Sequence, residues 1–298
     1  MSGNFIALDW GTTSFRAYLA TAAGEVVETI AGPEGILSVT DRDFEATLER
    51  LIGKWDVTLP VLAAGMITSR QGWIEVPYVS CPAGLDELAA ALHYHRTAKG
   101  RRIAFSTGLD YRAPNGVPDV MRSEETQVFG NLAGAQGYFV TPGTHSKWIA
   151  VEDSRITRFT TYTTGEVFAA LKDHTILGRM MVEGPEDEAA FERGVRAALA
   201  DPAGFLHRIF AARTLALFGE MPPASLASFL SGQVIGSEVA HALTLYPKDA
   251  NYIVLASPGL AQRYLAAMRI AGVNGQMGDP AAIVSGLARI ARRAGLLA

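Results

Sequence analysis

"LDWGTTSFRAY" (residues 8–18) and "VTPGTHSKWIAV" (residues 140–151) decide how this chain is read. In the first, an apolar run ends in Asp9, turns through Gly11-Thr12-Thr13-Ser14 and resumes as an apolar run carrying Arg16. Strand-forming residues on both sides of a Gly turn predict a hairpin. The second stretch repeats the plan. One constant shift lays Gly143 on Gly11, Thr144 on Thr12 and Ser146 on Ser14. Each hairpin belongs to a three-strand run: residues 4–10, 14–21 and 25–32 in the first half, 137–143, 147–153 and 155–163 in the second. The repetition predicts an α/β protein of two related domains, each offering a Gly-Thr turn to a central cleft, a common place for a ligand. The boundary falls near residues 133–137, giving domains of 1–136 and 137–279, with the helix at 280–297 a candidate addition to the first.

Away from the hairpins, apolar spacing over residues 41–55 predicts a helix, and "VLAAG" (61–65) a buried strand. Residues 65–84 are rich in turn formers. Residues 85–100 read as one helix ending at Lys99-Gly100. Further helices are expected over 186–200, 204–219, 225–243 and 260–272, with a strand at 251–257 running into a Gly turn. The last helix opens with Asp279 as N-cap and Pro280 in its first turn.

The 298 residues suit one large or two medium domains, and 49% hydrophobic with 19% charged residues is ordinary for a globular protein. A net charge of −4 predicts no general nucleic-acid or membrane surface. The lone cysteine, Cys81, forms no intramolecular disulfide and reads as packing. No 18-residue apolar run or leader is visible. The expectation is a cytoplasmic protein, with a homodimer left open.

The turns carry the chemistry. Gly lets a backbone approach an anion closely, and successive N–H groups with Thr and Ser hydroxyls make a phosphate cradle. Gly11, Thr12, Thr13 and Arg16 form one such set, and Gly143, Thr144, His145 and Ser146 the other. An ordinary hairpin turn is the simpler reading of either copy alone. Asp9 is the candidate for Mg²⁺, through water, since Mg²⁺ favours one carboxylate plus phosphate oxygens. Lys147 is the candidate to neutralise a moving phosphoryl group. A G-x-x-x-x-G-K-[ST] loop is absent, since Gly53-Lys54 runs into Trp55, and so are protein-kinase signatures. His93 and His95, two apart on an expected helix, make a poor metal pair.

Asp9 through Arg16 resembles the first phosphate motif, D-x-G-T-T/S-x-x-R, of the sugar kinase, actin and heat-shock chaperone superfamily. The resemblance implies a ribonuclease-H-like fold in both domains. It also implies a carboxylate base shortly before the second hairpin, where "DVMRSEETQVFG" (119–130) lies. Ser123 would cap a helix there, and Glu124 would accept the acceptor's hydroxyl proton, with Glu125 the second choice. The superfamily usually has Asp at this place. Its adenine site would fall at Gly232 and Gly236 in "FLSGQVIGSEV" and at Ser257 and Gly259 in "VLASPGLAQRY", where the superfamily often has paired glycines.

Residues 65–79, 119–127, 141–148, 161–168 and 229–239 together resemble the 2-dehydro-3-deoxygalactonokinase family over nearly the whole chain. That resemblance implies transfer of the ATP γ-phosphate, with Mg²⁺, to the 6-hydroxyl of 2-dehydro-3-deoxy-D-galactonate in galactonate catabolism. Ser69, Arg70, Trp73 and Tyr78 would face the sugar acid, with Arg70 meeting its carboxylate, and Thr163 and Glu166 would close the other side. A kinase for another sugar acid and an exopolyphosphatase-type phosphohydrolase stay open as alternatives, because a fold does not fix the acceptor.

Overall fold

The computed structural model describes residues 3–297. The chain divides into two compact units: unit 1 comprises Met1–Gln136, Ala150–Phe159 and Asp279–Ala298, and unit 2 comprises Gly137–Ile149 and Thr160–Gly278. Along the chain run β1 (Asn4–Trp10), β2 (Phe15–Thr21), β3 (Val26–Gly32), α1 (Phe44–Ile52), β4 (Val61–Ala64), β5 (Val79–Ser80), α2 (Leu85–Ala90) and β6 (His93–Arg96). Next come β7 (Arg102–Phe105), β8 (Leu109–Arg112), β9 (Pro118–Met121), α3 (Glu124–Asn131), β10 (Gly137–Thr141), β11 (Ser146–Glu152), β12 (Arg155–Tyr162) and α4 (Thr164–His174). The rest are α5 (Glu188–Ala200), α6 (Phe205–Arg208), α7 (Ala211–Leu217), α8 (Leu226–Leu245), β13 (Asn251–Val254), α9 (Pro258–Ile270), β14 (Asn274–Met277) and α10 (Ile283–Arg293).

The first sheet has the order β3-β2-β1-β4-β7-β6. Its meander β1-β2-β3 is antiparallel, β4 and β7 run parallel to β1, and β6 is an antiparallel edge. The second sheet has the order β12-β11-β10-β13-β14, with β13 and β14 parallel to β10. Leaving β6 aside, both sheets are a three-strand meander followed by two parallel strands. That shared order is the structural form of the repeated hairpin. The stretch Ala150–Phe159, expected with the second half, groups with unit 1, where Ile156 pairs with Ala83 and Phe159 packs on Tyr111.

In unit 1, α1 starts on Asp43, whose side chain accepts from Ala46 N–H at 2.9 Å. Phe44, Leu48 and Ile52, four apart, are buried against Leu8, Trp10 and Phe105 of the sheet. Each such side chain contributes about 1.5–3 kcal/mol by leaving water. Arg101 is buried and satisfied: its Nε donates to Glu49 at 2.9 Å and its Nη atoms to the Asp56 and Trp55 carbonyls at 3.2 and 3.3 Å. Helix α10 packs on α3 through two glycines. A methyl on Gly286 would overlap the Thr126 carbonyl, and one on Gly130 the Ala282 carbonyl.

In unit 2, α5 and α8 make the corresponding close contact through Gly194, Gly232 and Gly236. No helix among the described residues is long and apolar enough to cross a membrane.

Two expected elements differ. Residues 85–100 are a short helix and then β6, because His93–Arg96 pair with β7; Gly100, at φ 90°, is the turn between those strands. His93 and His95 therefore share one strand face, and the His95 ring packs against Trp73 at 5.3 Å. Residues 204–219 form two short helices, α6 and α7. Helix α4 and the small sheet β5-β8-β9 were not foreseen. Asp279, expected as the N-cap of the last helix, caps instead the 3-10 turn Pro280–Ala282 that leads into α10, accepting from Ala281 N–H at 2.8 Å.

Because the α3–α10 contact leaves no room for a Cβ, Gly286→Ala is expected to lower unfolding free energy by about 1–3 kcal/mol, the usual cost of overpacking. Urea denaturation of the variant against the wild type measures it.

Candidate active site

The first turn is built on buried Trp10 and Phe15, whose rings meet edge to face at 4.9 Å. Gly11 N–H donates to Ser14 O at 2.9 Å and closes the hairpin. The turn's carbonyls are tied backwards: Ile36 N–H donates to Gly11 O at 3.0 Å and Leu37 N–H to Thr12 O at 3.3 Å. Gly35 makes this approach possible, since any Cβ there would overlap the backbone of Thr12 and Thr13. Thr13 is exposed, and Gly11 and Thr12 are half-buried.

Strand register sets Asp9 opposite Arg16, with Oδ2 to Nη1 at 3.4 Å. Burial raises the Asp9 pKa above the ordinary carboxylate value, the Arg16 charge pulls it back, and the Glu124 charge pushes it up again. Asp9 and Glu124 are thus electrostatic neighbours. Among the described residues no three His, Cys, Asp or Glu side chains gather as a metal cage. Asp9 fits the other way of holding Mg²⁺, in which phosphate oxygens and water supply most ligands.

Helix α3 begins at Glu124 as expected, but Ser123 does not cap it. Ser123 is left-handed at φ 97° and its hydroxyl has no partner. Instead its N–H donates to the Glu125 carboxyl at 2.8 Å, and Thr126 Oγ1 donates to it at 2.9 Å. Glu125 is fully buried, and burial, aided by the Glu124 charge, pushes its carboxyl up to about 8. Glu124 is half-buried, and its Oε2 accepts from Arg122 N–H at 2.9 Å. Of the two, only Glu124 reaches the surface.

The expected acceptor loop divides. Ser69 is turned inward, its hydroxyl donating to Met66 O at 2.7 Å. Arg70 is 87% exposed, 3.5 Å from Glu75. Trp73 is half-buried and packs against the core, stacked on Phe44 and edge-on to Phe105. Tyr78 is on the surface under Arg122, whose guanidinium lies 4.3 Å from its ring centroid. Sequence reading overlooked Arg122. Its Nη1 donates to Thr68 Oγ1 at 2.6 Å and its Nη2 to Val76 O at 3.1 Å, so one side chain ties the 65–79 loop to the start of α3.

In unit 2, Gly143 is half-buried and Thr144 exposed. Glu166 N–H donates to Thr144 O at 3.1 Å, and a Cβ on Gly165 would collide with Gly143 and Thr144. This repeats the bracing by Gly35. His145 Nε2 meets Glu166 Oε2 at 2.8 Å. Thr163 immediately precedes α4. Thr163 and Glu166, expected at the sugar, thus belong to the second turn and its helix. Lys147 is nearly buried, its Nζ donating to His145 O at 3.0 Å.

Ser146, expected at phosphate, is fully buried and donates to Glu238 at 2.6 Å. Trp148 Nε1 and Tyr264 Oη also donate to that carboxyl, at 2.8 and 2.6 Å, as does Thr164 Oγ1.

A cavity of about 250 Å³ opens beside this turn, lined by Gly143, Thr144, Thr164, Ser231, Arg263 and Tyr264. Phe168, Ser231 and Arg263 also line a neighbouring cavity of about 640 Å³. Gly232 and Gly236, expected at adenine, face α5 instead: methyls there would overlap Phe191 O and crowd Ala198 and Val195. Ser257 and Gly259 are exposed at the start of α9, and a Cβ on Gly259 would meet open space. Glu238 and Gly35 carried no sequence signal of their own, because what marks them is contact with residues far along the chain.

Glu125 gives a pH signature. Its folded pKa lies above its ordinary 4.5, so the folded chain keeps a proton that the unfolded chain releases. Its contribution to stability is therefore lost as pH rises from 4.5 to about 8. Glu125→Gln is expected to flatten this fall in urea-unfolding measurements across that range. An equal fall in both proteins would mean that Glu125 is ionised in the folded state.

A family model described as 2-keto-3-deoxy-galactonokinase matches residues 9–290. A 2-dehydro-3-deoxygalactonokinase of Rhizobium meliloti (strain 1021) is 34% identical over 303 residues, covering 98% of this chain and 97% of the relative. The Escherichia coli (strain K12) protein of the same name is 32% identical, covering 94% and 95%. A crystal structure titled as a 2-dehydro-3-deoxygalactonokinase protein from Sinorhizobium meliloti superposes with a TM-score of 0.90 at 33% identity, over 97% of this chain and 98% of that one. At 11% identity, a Clostridium difficile 2-hydroxyisocaproyl-CoA dehydratase activator with bound ADPNP reaches a TM-score of 0.50, a likeness of fold alone. The paired sheets are those of the two-domain actin and sugar-kinase type, and the chain belongs to the 2-keto-3-deoxy-galactonokinase family.

Proposed function

We propose that the chain transfers the γ-phosphoryl group of ATP to the 6-hydroxyl of 2-dehydro-3-deoxy-D-galactonate, giving the 6-phosphate and ADP. The observation that carries this reading, within the family, is the pair of Gly-Thr turns whose carbonyls are tied back by Gly35 and Gly165. Turns held in this way keep amides and hydroxyls for phosphate oxygens. Gly11, Thr12 and Thr13 serve in unit 1, and Gly143 and Thr144 in unit 2. The first residues of α4 add a positive helix end beside the second turn. The cavities beside that turn, reaching Arg263, take the nucleoside.

Glu124 accepts the proton of the attacking hydroxyl as phosphoryl transfer proceeds. Its partial exposure supports this choice over buried Glu125. Asp9 holds Mg²⁺ through water, and the ion, when bound, neutralises phosphate charge as it develops. Lys147, drawn back on to the His145 carbonyl, contributes positive charge from beneath the second turn. Arg122 sets the acceptor loop against the base, and the mostly solvated Arg70 is the weaker candidate for the sugar acid's carboxylate. The protein acts in the cytoplasm on a small acid, without nucleic acid.

A coupled ADP-release assay with ATP, Mg²⁺ and a panel of sugar acids tests the reading. Release that depends on 2-dehydro-3-deoxy-D-galactonate is expected, and release only with another acid would reassign the acceptor. In the same assay Glu124→Gln is expected to cut kcat by ~10²-fold or more while ATP still binds. Wild-type turnover in that variant would remove Glu124 from the base role. Arg122→Ala is expected to raise the sugar-acid KM by about tenfold, the scale of losing hydrogen bonds from a charged group. A rise confined to the ATP KM would move Arg122 out of the acceptor site.

A further inference from the structure

We infer that Glu238 is a positioning residue for the nucleotide: its buried carboxyl fixes the second Gly-Thr turn, the start of α4 and Tyr264 in one arrangement. This rests on the nucleotide-binding part of the reading above. Glu238 lies on α8 and is 3% exposed. Its two oxygens divide the work. Oε1 accepts from Ser146 Oγ at 2.6 Å and Trp148 Nε1 at 2.8 Å, both on β11 just past the turn. Oε2 accepts from Thr164 Oγ1, at the first residue of α4, and from Tyr264 Oη on α9 at 2.6 Å.

A carboxyl is a costly way to fill a helix interface. Burial pushes its pKa up, against four donors that pull it down. An apolar side chain of similar size packs such a place without that cost. What the carboxyl adds is direction, because each hydrogen bond is restricted in length and angle. Two of its donors, Thr164 and Tyr264, line the cavity of about 250 Å³ whose lining also includes Gly143 and Thr144. The other two hold the strand that leaves that turn. Gly165, next to Thr164, already touches the turn closely enough to exclude a Cβ. Loss of the carboxyl therefore frees the turn and the cavity wall together, while the acceptor loop and Glu124, in unit 1, are untouched.

The test uses the full-length chain. Calorimetry measures binding of a non-hydrolysable ATP analogue without acceptor, and steady-state kinetics give the KM for ATP, the KM for the sugar acid and kcat. Glu238→Gln is expected to weaken the analogue and raise the ATP KM by about tenfold or more, the scale of losing bonds to a charged group. The sugar-acid KM is expected to hold. Tyr264→Phe, which removes one donor, is expected to move the same two readings in the same direction by less.

If Glu238→Gln lowers thermal stability but its folded fraction binds the analogue as the wild type does, the carboxyl serves the fold alone and the inference fails. If that variant does not fold, Tyr264→Phe and Ser146→Ala decide: unchanged analogue affinity in both overturns the inference. A wild type that binds the analogue but phosphorylates no sugar acid overturns the kinase reading and leaves this one standing. A wild type that binds no nucleotide overturns both.

Discussion

A turn that is to hold an anion must be fastened without using the groups that do the holding. This constraint explains more of the structure than any other. In unit 1 the carbonyls of Gly11 and Thr12 accept from Ile36 and Leu37; in unit 2 the Thr144 carbonyl accepts from Glu166. Both turns are thus anchored by their oxygens, which an anion would repel. Both anchors need a glycine, Gly35 or Gly165, because the bracing segment lies directly on the turn's backbone. The two devices are alike in logic and different in detail: a short 3-10 turn follows Gly35, while Gly165 lies inside the first turn of α4.

Buried charge is the second theme. Arg101 and Glu49 compensate each other and tie α1 to the strand beside it. Glu125 has no such counter-charge; its partners are the Ser123 amide and the Thr126 hydroxyl. It sits directly behind Glu124, so the two neighbours on one helix turn have opposed surroundings, one largely dry and one open. The left-handed Ser123 is what its N–H bond to Glu125 holds in place.

The sequence was most legible where a local pattern carried the meaning. The repeated Gly-Thr turn announced two like sheets, and apolar spacing located α1, α5, α8 and α9. Asp9 and Glu124 were singled out by their place relative to those turns and by the resemblance the turns carry, and the structure makes the two electrostatic neighbours. Legibility failed where distant residues decide. Ser146 looked like a phosphate ligand until its partner, Glu238, was seen 92 residues later. Gly232 and Gly236 looked like nucleotide-site glycines, yet their missing side chains admit α5. Trp73 sat in a polar loop but is claimed by Phe44 and Phe105. Residues 93–96 had helical neighbours, and pairing with β7 overrode them.

Helix α10 adds a consequence of another kind. It completes unit 1 by seating on α3, glycine against carbonyl, although 147 residues separate Asn131 from Asp279, the next residue with which α3's end makes hydrogen bonds. A ribosome making this chain delivers all of unit 2 before residues 283–293 emerge. Until then the helix bearing Glu124 lacks its cover. Glu124, which we propose as the base, therefore gains the packing behind its helix only when nearly the last turn of the described chain has been made.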